Sequence, residues 1–155
     1  MNIADPAESI AIVGMAGRFP QATNLDEFWA GLREGKEAIS FFQAEEVQWL
    51  PIEPPPVTND PHFVRARATL DRPEWFDAGF FRLNPREAAI MDPQQRVFLE
   101  CAWEALENAG CDAETFAGSI GVFAGAGFNS YLFNNLLTNR DLLGSFGLFA
   151  ALTLN

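Results

Sequence analysis

The chain has 155 residues, enough for a globular unit with its own core, and 48% of them are hydrophobic. Ten Lys and Arg against 21 Asp and Glu give a formal net charge of −11, which disfavours nucleic acid and anionic membrane surfaces as partners. The N-terminal residues show no secretory signal, and no apolar run reaches the roughly 20 residues of a membrane-spanning helix, so we expect a cytoplasmic protein without a membrane partner.

The first predicted element is a strand. Residues 9–14, Ser-Ile-Ala-Ile-Val-Gly, form an apolar, β-branched run that ends at glycine, the pattern of a central strand buried on both faces. A helix is predicted next, from about Leu25 to Glu34. Asn24 and Glu27 have the spacing of a capping box, and Gly35 lies where a left-handed C-terminal cap is needed.

The middle of the chain is rich in proline. Five prolines between about residues 41 and 68 remove backbone donors and fix φ, which predicts a surface excursion without regular structure. Beyond it, Asn84 and Pro85 are suited to begin a short helix, as N-cap and first helical residue.

The clearest predicted element is a helix from Pro93 to Ala109. Asp92 is a suitable N-cap, Gly110 a suitable C-terminal cap, and apolar residues recur between them at steps of three and four. A second strand is predicted at 119–125, where small residues suggest close packing, and a further helix at about 130–139. This order of strands and helices predicts an α/β domain with layered helices.

The run from Ile10 to Gly17 also imitates the start of a dinucleotide-binding unit. A pyrophosphate site needs glycines that lead directly into a helix N-terminus, yet the predicted cap Asn24 lies seven residues beyond Gly17. The spacing therefore argues against nucleotide binding.

The cysteines and the histidine do not form a metal-binding pattern. Cys101, Cys111 and His62 are the only residues of these types, and no second ligand pair accompanies them. A disulfide is one possibility, but an acidic cytosolic protein favours two reduced, mostly buried thiols. Cys101 lies on the apolar face of its predicted helix with no basic partner nearby in sequence, so we predict a packing role rather than a nucleophile.

Three blocks in a fixed order resemble a known family. They are Ile10-Ala-Ile-Val-Gly-Met-Ala-Gly-Arg-Phe-Pro20, the run from Phe76 to Ala88, and the run from Met91 to Gly110. The chain thereby resembles the N-terminal part of a β-ketoacyl synthase (ketosynthase) domain of modular type I polyketide synthases, in the thiolase superfamily. The resemblance implies an incomplete thiolase-like α/β fold, the N-terminal portion of a layered αβαβα architecture, with residues 1–9 as a lead-in and 10–155 as ketosynthase.

The resemblance also implies an activity for the complete protein. Such an acyltransferase carries out the decarboxylative Claisen condensation of a carrier-bound malonyl-type extender with a cysteine-bound acyl chain, which needs a thiolate, an oxyanion hole and histidine donors. The family's Thr-Ala-Cys-Ser-type elbow and two histidines are not in this sequence. We therefore expect no catalytic residue here and an inactive fragment. The alternative is a free-standing, non-catalytic ketosynthase-like module for assembly or interaction.

Partners and a pocket follow from the same resemblance. It implies an acyl carrier protein whose phosphopantetheine holds the substrate, neighbouring polyketide synthase domains, a homodimer, and neither a metal nor a directly bound cofactor. The region from 125 to 154 is expected near the two-fold contact and the acyl pocket. Candidates to line that pocket are Phe128, Asn129, Tyr131 and Leu132.

Overall fold

A computed structural model describes residues 9–43, 62–142 and 144–145. Its regular elements are helix α1 (Leu25–Glu34), strands β1 (Ser40–Phe41) and β2 (Ala66–Arg67), helices α2 (Pro85–Ile90) and α3 (Pro93–Asn108), and a π-helix (Leu132–Leu136). Within the described ranges, no helix combines the length and the apolar character needed to cross a membrane.

Helix α1 has the predicted bounds and caps. The Asn24 side chain accepts a hydrogen bond from the Glu27 N–H at 2.9 Å, and Gly35 ends the helix at φ 66°. The Glu27 carboxylate accepts from the N–H of Thr23 at 2.8 Å, one residue earlier than in the predicted box. This N–H is the first cause of the lowered pKa of Glu27.

Helices α2 and α3 follow each other with a single residue between α2 and the α3 cap. Asn84 and Glu87 form a complete capping box before α2. Asp92 caps α3 by accepting from the Gln94 N–H at 2.7 Å. The predicted end of α3 is confirmed to within one residue, with Ala109 as C-cap and Gly110 at φ 65°.

The burial of α3 differs from the prediction. Its predicted apolar stripe is half-buried or exposed, and the one buried residue of the helix is Arg96. The stripe faces segments that cover it only in part, whereas the Arg96 guanidinium donates to the Glu74 carbonyl at 3.5 Å and lies 5.8 Å from the centre of the Tyr131 ring.

Both predicted strands are wrong for the described part of the chain. Residues 9–14 and 119–125 have no strand structure, and Ile10 and Phe123 are 96% and 97% exposed. A strand forms its backbone hydrogen bonds only with a neighbouring strand. Among the described residues, the paired strands are β1 and β2 alone, so neither segment has a neighbour to pair with.

The ends of the proline-rich excursion are paired. Strands β1 and β2 are antiparallel, with Ser40 opposite Arg67 and Phe41 opposite Ala66. The prediction of no regular structure over 41–68 is therefore wrong at its two ends. Residues 44–61 of the excursion lie outside the described residues, as do most of the lead-in and residues 146–155.

The small core lies where α2 meets the π-helix. Ile90, Leu132 and Leu136 are buried together, and Tyr131 and Leu142 pack against them. The predicted helix at 130–139 is present, but residues 132–136 are π-helical, with a hydrogen bond of 2.8 Å from the Leu137 N–H to the Leu132 carbonyl.

Candidate functional site

The extended segment 14–18 lies along the C-terminal half of α3. A Cβ atom on Gly14 would overlap the carbonyl oxygen of Ala105 and lie 2.8 Å from the Ala109 Cβ. The next residue, Met15, donates its N–H to the Asn108 side-chain oxygen at 3.0 Å. Only glycine permits this approach of the backbone to the helix.

Arg18 connects the same segment to α3 through a forked ion pair. Its Nη1 donates to Glu104 Oε2 at 2.7 Å and its Nη2 to Glu104 Oε1, while Nη1 also reaches the Thr23 carbonyl at 3.2 Å. The bond from Arg18 is the first cause of the lowered pKa of Glu104, and in turn it raises the pKa of Arg18. Both terminal nitrogens of the Arg18 guanidinium are thus bonded to the Glu104 carboxylate.

Cys101 and Glu100 lie beside this ion pair. Burial raises the pKa of the Cys101 thiol, although the charge and the N–H of Arg18 oppose the shift. Burial also raises the pKa of Glu100. A basic group is therefore close to Cys101 in space, which the sequence neighbourhood did not indicate. The thiol nevertheless stays protonated at neutral pH, because burial outweighs that charge and Glu104 offsets it.

A groove of about 890 Å³ opens between these segments. It runs along α3 from Pro93 to Cys101 and is closed on other sides by Gly17, Leu70 and the small residues of 124–127. The lining is largely apolar and contains no histidine. A largely apolar groove of this size is suited to packing or to binding an apolar group.

The four predicted pocket residues lie beside this groove and do not line it. Phe128 is 77% exposed and stacks on Phe133 at 5.3 Å. The Asn129 side chain accepts from the Leu132 N–H at 2.9 Å. Tyr131 donates its hydroxyl to the Ala89 carbonyl at 2.7 Å, and Leu132 is in the core. The pocket assignment stays a prediction.

Sequence reasoning missed the residues that hold these segments on α3. Arg18 and Glu104 are 86 positions apart, and nothing in local periodicity joins them. Gly14 does carry a signal, because it ends an apolar run, but that pattern predicts the end of a strand rather than contact with a helix. Among the described residues, no group of three His, Cys, Asp or Glu is placed to hold a metal ion.

The sequence of this chain matches a known protein family and several curated proteins. The model of the family described as "Beta-ketoacyl synthase, N-terminal domain" matches residues 7–148. The chain is 46% identical over 136 residues to a phenolphthiocerol/phthiocerol polyketide synthase of Mycobacterium tuberculosis, covering 88% of this chain and 9% of that protein. It is 39% identical over 135 residues to polyketide synthase PksL of Bacillus subtilis, covering 82% of this chain and 3% of the relative. The chain thus spans under a tenth of the length of these relatives.

Solved structures agree with the sequence matches. The ketosynthase from module 6 of the bacillaene synthase of Bacillus subtilis superposes with a TM-score of 0.56 and 37% identity, over 68% of this chain and 17% of that chain. Ketosynthase twelve of the bacillaene polyketide synthase of Bacillus amyloliquefaciens gives 0.51 and 38%, over 63% of this chain and 15% of that one. The chain therefore belongs to the β-ketoacyl synthase family of polyketide synthases, and it has the N-terminal portion of the thiolase-like α/β fold.

Proposed function

We propose that this chain is the N-terminal scaffold of a polyketide ketosynthase that, when complete, condenses a cysteine-bound acyl chain with a carrier-bound malonyl-type extender after decarboxylation. The observation that carries this proposal is the family match over residues 7–148 together with the polyketide synthase relatives. The partners follow from the activity: an acyl carrier protein bearing phosphopantetheine, neighbouring synthase domains, and a second ketosynthase copy, all in the cytoplasm.

The span supplies architecture rather than reactive groups. Condensation requires a thiolate and histidine donors near a thioester. The thiol that lines the groove, Cys101, has a raised pKa, and the guanidinium of the neighbouring Arg18 is bonded to Glu104. We therefore assign the nucleophile and the histidines to other parts of the complete ketosynthase, and a structural role to helix α3 with its docked segments.

Intact mass measurement tests the absence of chemistry in the span. The chain is incubated with an acyl carrier protein that bears an acyl thioester, and with a Cys101→Ser variant as the matched control. We expect no acyl adduct on either protein. An acyl group on the wild-type chain that is missing from the Cys101→Ser variant would assign a nucleophile to Cys101 and overturn the scaffold proposal.

A chimera tests the positive half of the proposal. Residues 7–148 replace the matching span of the solved Bacillus subtilis module 6 ketosynthase, to which the chain is 37% identical; we call this protein the ketosynthase chimera. We expect it to form β-ketoacyl thioester and to release CO₂ with malonyl carrier protein. A folded chimera that binds carrier protein without condensation would instead support the non-catalytic module.

A further inference from the structure

The buried residue of α3, Arg96, has a guanidinium whose hydrogen bonds are incomplete. The residue is 8% exposed. Its Nη1 donates to the Glu74 carbonyl at 3.5 Å, which is longer than an ordinary hydrogen bond. Its Nε is buried and has no hydrogen-bond partner in the described part of the chain. A buried cationic group in this state costs free energy until an acceptor reaches it.

The two carboxylates one turn away on the same helix do not neutralise Arg96. Asp92 binds the Gln94 N–H at 2.7 Å with one oxygen and Gln94 Nε2 at 3.3 Å with the other. Burial raises the pKa of Glu100, and the positive charges of Arg18 and Arg96 oppose that shift without reversing it. A carboxylate paired with Arg96 would have a lowered pKa instead. Neither neighbour therefore serves as the counter-ion.

Arg18 shows how an arginine beside α3 is satisfied when its counter-ion is present. Its two terminal nitrogens bind the two oxygens of Glu104, although its side chain is 26% exposed. Within the described ranges, the salt bridges are this pair and the exposed pair of Arg82 and Glu114. Arg96 is the more deeply buried arginine, and it lacks the partner that burial makes more necessary.

The aromatic neighbour of Arg96 holds the guanidinium without removing its charge. The centre of the Tyr131 ring lies 5.8 Å from it, and the Tyr131 hydroxyl is itself fixed by the Ala89 carbonyl at 2.7 Å. A cation is attracted to a ring at this distance, but the ring carries no net charge to neutralise it. The chain covers 17% of a solved ketosynthase chain, so most of a complete ketosynthase lies outside it.

We propose that Arg96 is the binding site for a carboxylate side chain from the rest of the complete ketosynthase, and that this ion pair joins the start of α3 to the remainder of the domain. A carboxylate fits because its two oxygens match the guanidinium fork and its charge neutralises the buried cation. The inference rests on the proposed scaffold role and goes beyond it by naming the residue and the charge through which the scaffold binds.

The first experiment compares thermal unfolding of the 155-residue chain and of the ketosynthase chimera. Arg96→Met removes the charge and keeps an apolar stem. In the 155-residue chain, the midpoint should rise by about 3 °C, because an unpaired buried charge is removed. In the chimera it should fall by about 5 °C, because the same change leaves a buried carboxylate unpaired. A fall in the 155-residue chain, or shifts of the same sign in both proteins, would refute the proposal.

Two further variants serve as controls. Arg86→Met is the matched one, because Arg86 is exposed on α2 and, in the ranges that the structure describes, forms no salt bridge. We expect it to change either midpoint by only about 1 °C. Arg96→Lys keeps the charge, so it should give no gain in the 155-residue chain and retain part of the stability of the chimera. Opposite shifts of equal size in Arg86→Met would contradict a specific role for Arg96.

A crystal structure of the chimera identifies the partner. We expect a carboxylate oxygen within about 4 Å of the Arg96 guanidinium, from a residue outside 7–148. A backbone carbonyl in that place, or the carboxylate of Asp92 or Glu100, would overturn the proposal. The two proposals stay separable, because a folded chimera that does not condense contradicts the ketosynthase function while its structure still decides the ion pair. A chimera that condenses without the ion pair contradicts the role of Arg96 alone.

Discussion

Helix α3 and the segment 9–18 meet along one face, yet they complete their backbone hydrogen bonds in different ways. The helix forms its bonds within itself, from Asp92 to Ala109. The segment is docked only at Gly14, Met15 and Arg18, while Ile10 and Val13 before them are largely exposed. Residues 119–125 likewise have no strand structure, and Phe123 is exposed.

The difference shows what each element needs from the rest of a fold. A helix with good caps requires partners only for its side chains, whereas a strand requires a partner for every second backbone group as well. An apolar strand sequence without that partner remains an open edge of unsatisfied groups. In the described residues, the backbone hydrogen bonds of the helices are therefore formed, whereas those of the predicted strands at 9–14 and 119–125 are not.

The largest expected effect comes from providing strands with which residues 9–14 and 119–125 can pair. In the ketosynthase chimera, the amides of residues 10–13 and 120–123 should exchange at least about 100-fold more slowly than in the 155-residue chain, because inter-strand hydrogen bonds protect them. Amides in the middle of α3 should slow much less, since they are bonded in both proteins. Fast exchange at 10–13 in an active chimera would show that this segment is not a strand in the complete fold.

The next effect tests the docked part of the segment. Gly14→Ala should lower the free energy of unfolding by about 2 kcal/mol, because the new Cβ overlaps the Ala105 carbonyl and the Ala109 side chain. Gly125→Ala is the matched control. Its Cβ has no neighbour within 4 Å, and we expect a change within about 0.5 kcal/mol. If urea denaturation gave equal losses of unfolding free energy for Gly14→Ala and Gly125→Ala, Gly14 would not lie against α3.

A smaller, pH-dependent effect separates two carboxylates on the docked face. The pKa of Glu104 is lower in the folded state, so its contribution is present above its unfolded pKa and is lost as the pH falls through the folded one. Glu104→Gln should therefore cost about 1 kcal/mol near pH 7, a value kept small because the pair is partly exposed, and should cost less in acid.

Glu100→Gln is the matched comparison for Glu104→Gln and should act in the opposite direction. Burial raises the pKa of Glu100, so its contribution is present at low pH and is lost as the pH rises through the folded pKa. The neutral amide should then stabilise the fold slightly near pH 7. Urea denaturation between about pH 3 and pH 7 gives both profiles. Parallel profiles for the two variants would contradict the different environments of these carboxylates.

The sequence predicted what is determined locally. The caps Asn24, Asn84 and Asp92 fix where three helices begin, and Gly35 and Gly110 fix where two of them end, because each cap satisfies groups within a few residues. Family membership was also predictable, since the order of three blocks carries it.

What depends on distant partners was not predictable from local pattern. Arg18 finds Glu104 across 86 positions, and Gln94 finds Gly127 across 33. The π-helix around Leu132 and the pairing of Ser40 with Arg67 also arise from tertiary packing. The strand patterns at 9–14 and 119–125 predicted a preference, and the neighbours that would satisfy it are not among the described residues.

The smallest expected effect concerns a helix that is capped but hardly covered. Asn24→Ala removes the acceptor for the Glu27 N–H, a bond typically worth about 1 kcal/mol. None of the ten residues of α1 is buried, so the helix can fray at this end without disturbing α3. We therefore expect a loss of only about 0.5 kcal/mol in global stability, at the low end for N-caps, together with faster exchange of the Glu27 amide. Asn24→Asp, which keeps the acceptor, should restore slow exchange. A loss as large as that of Gly14→Ala would mean that α1 and α3 unfold as one unit. Helix α1 would then depend on its contacts with the rest of the fold, and its own hydrogen bonds and caps would not be enough to maintain it.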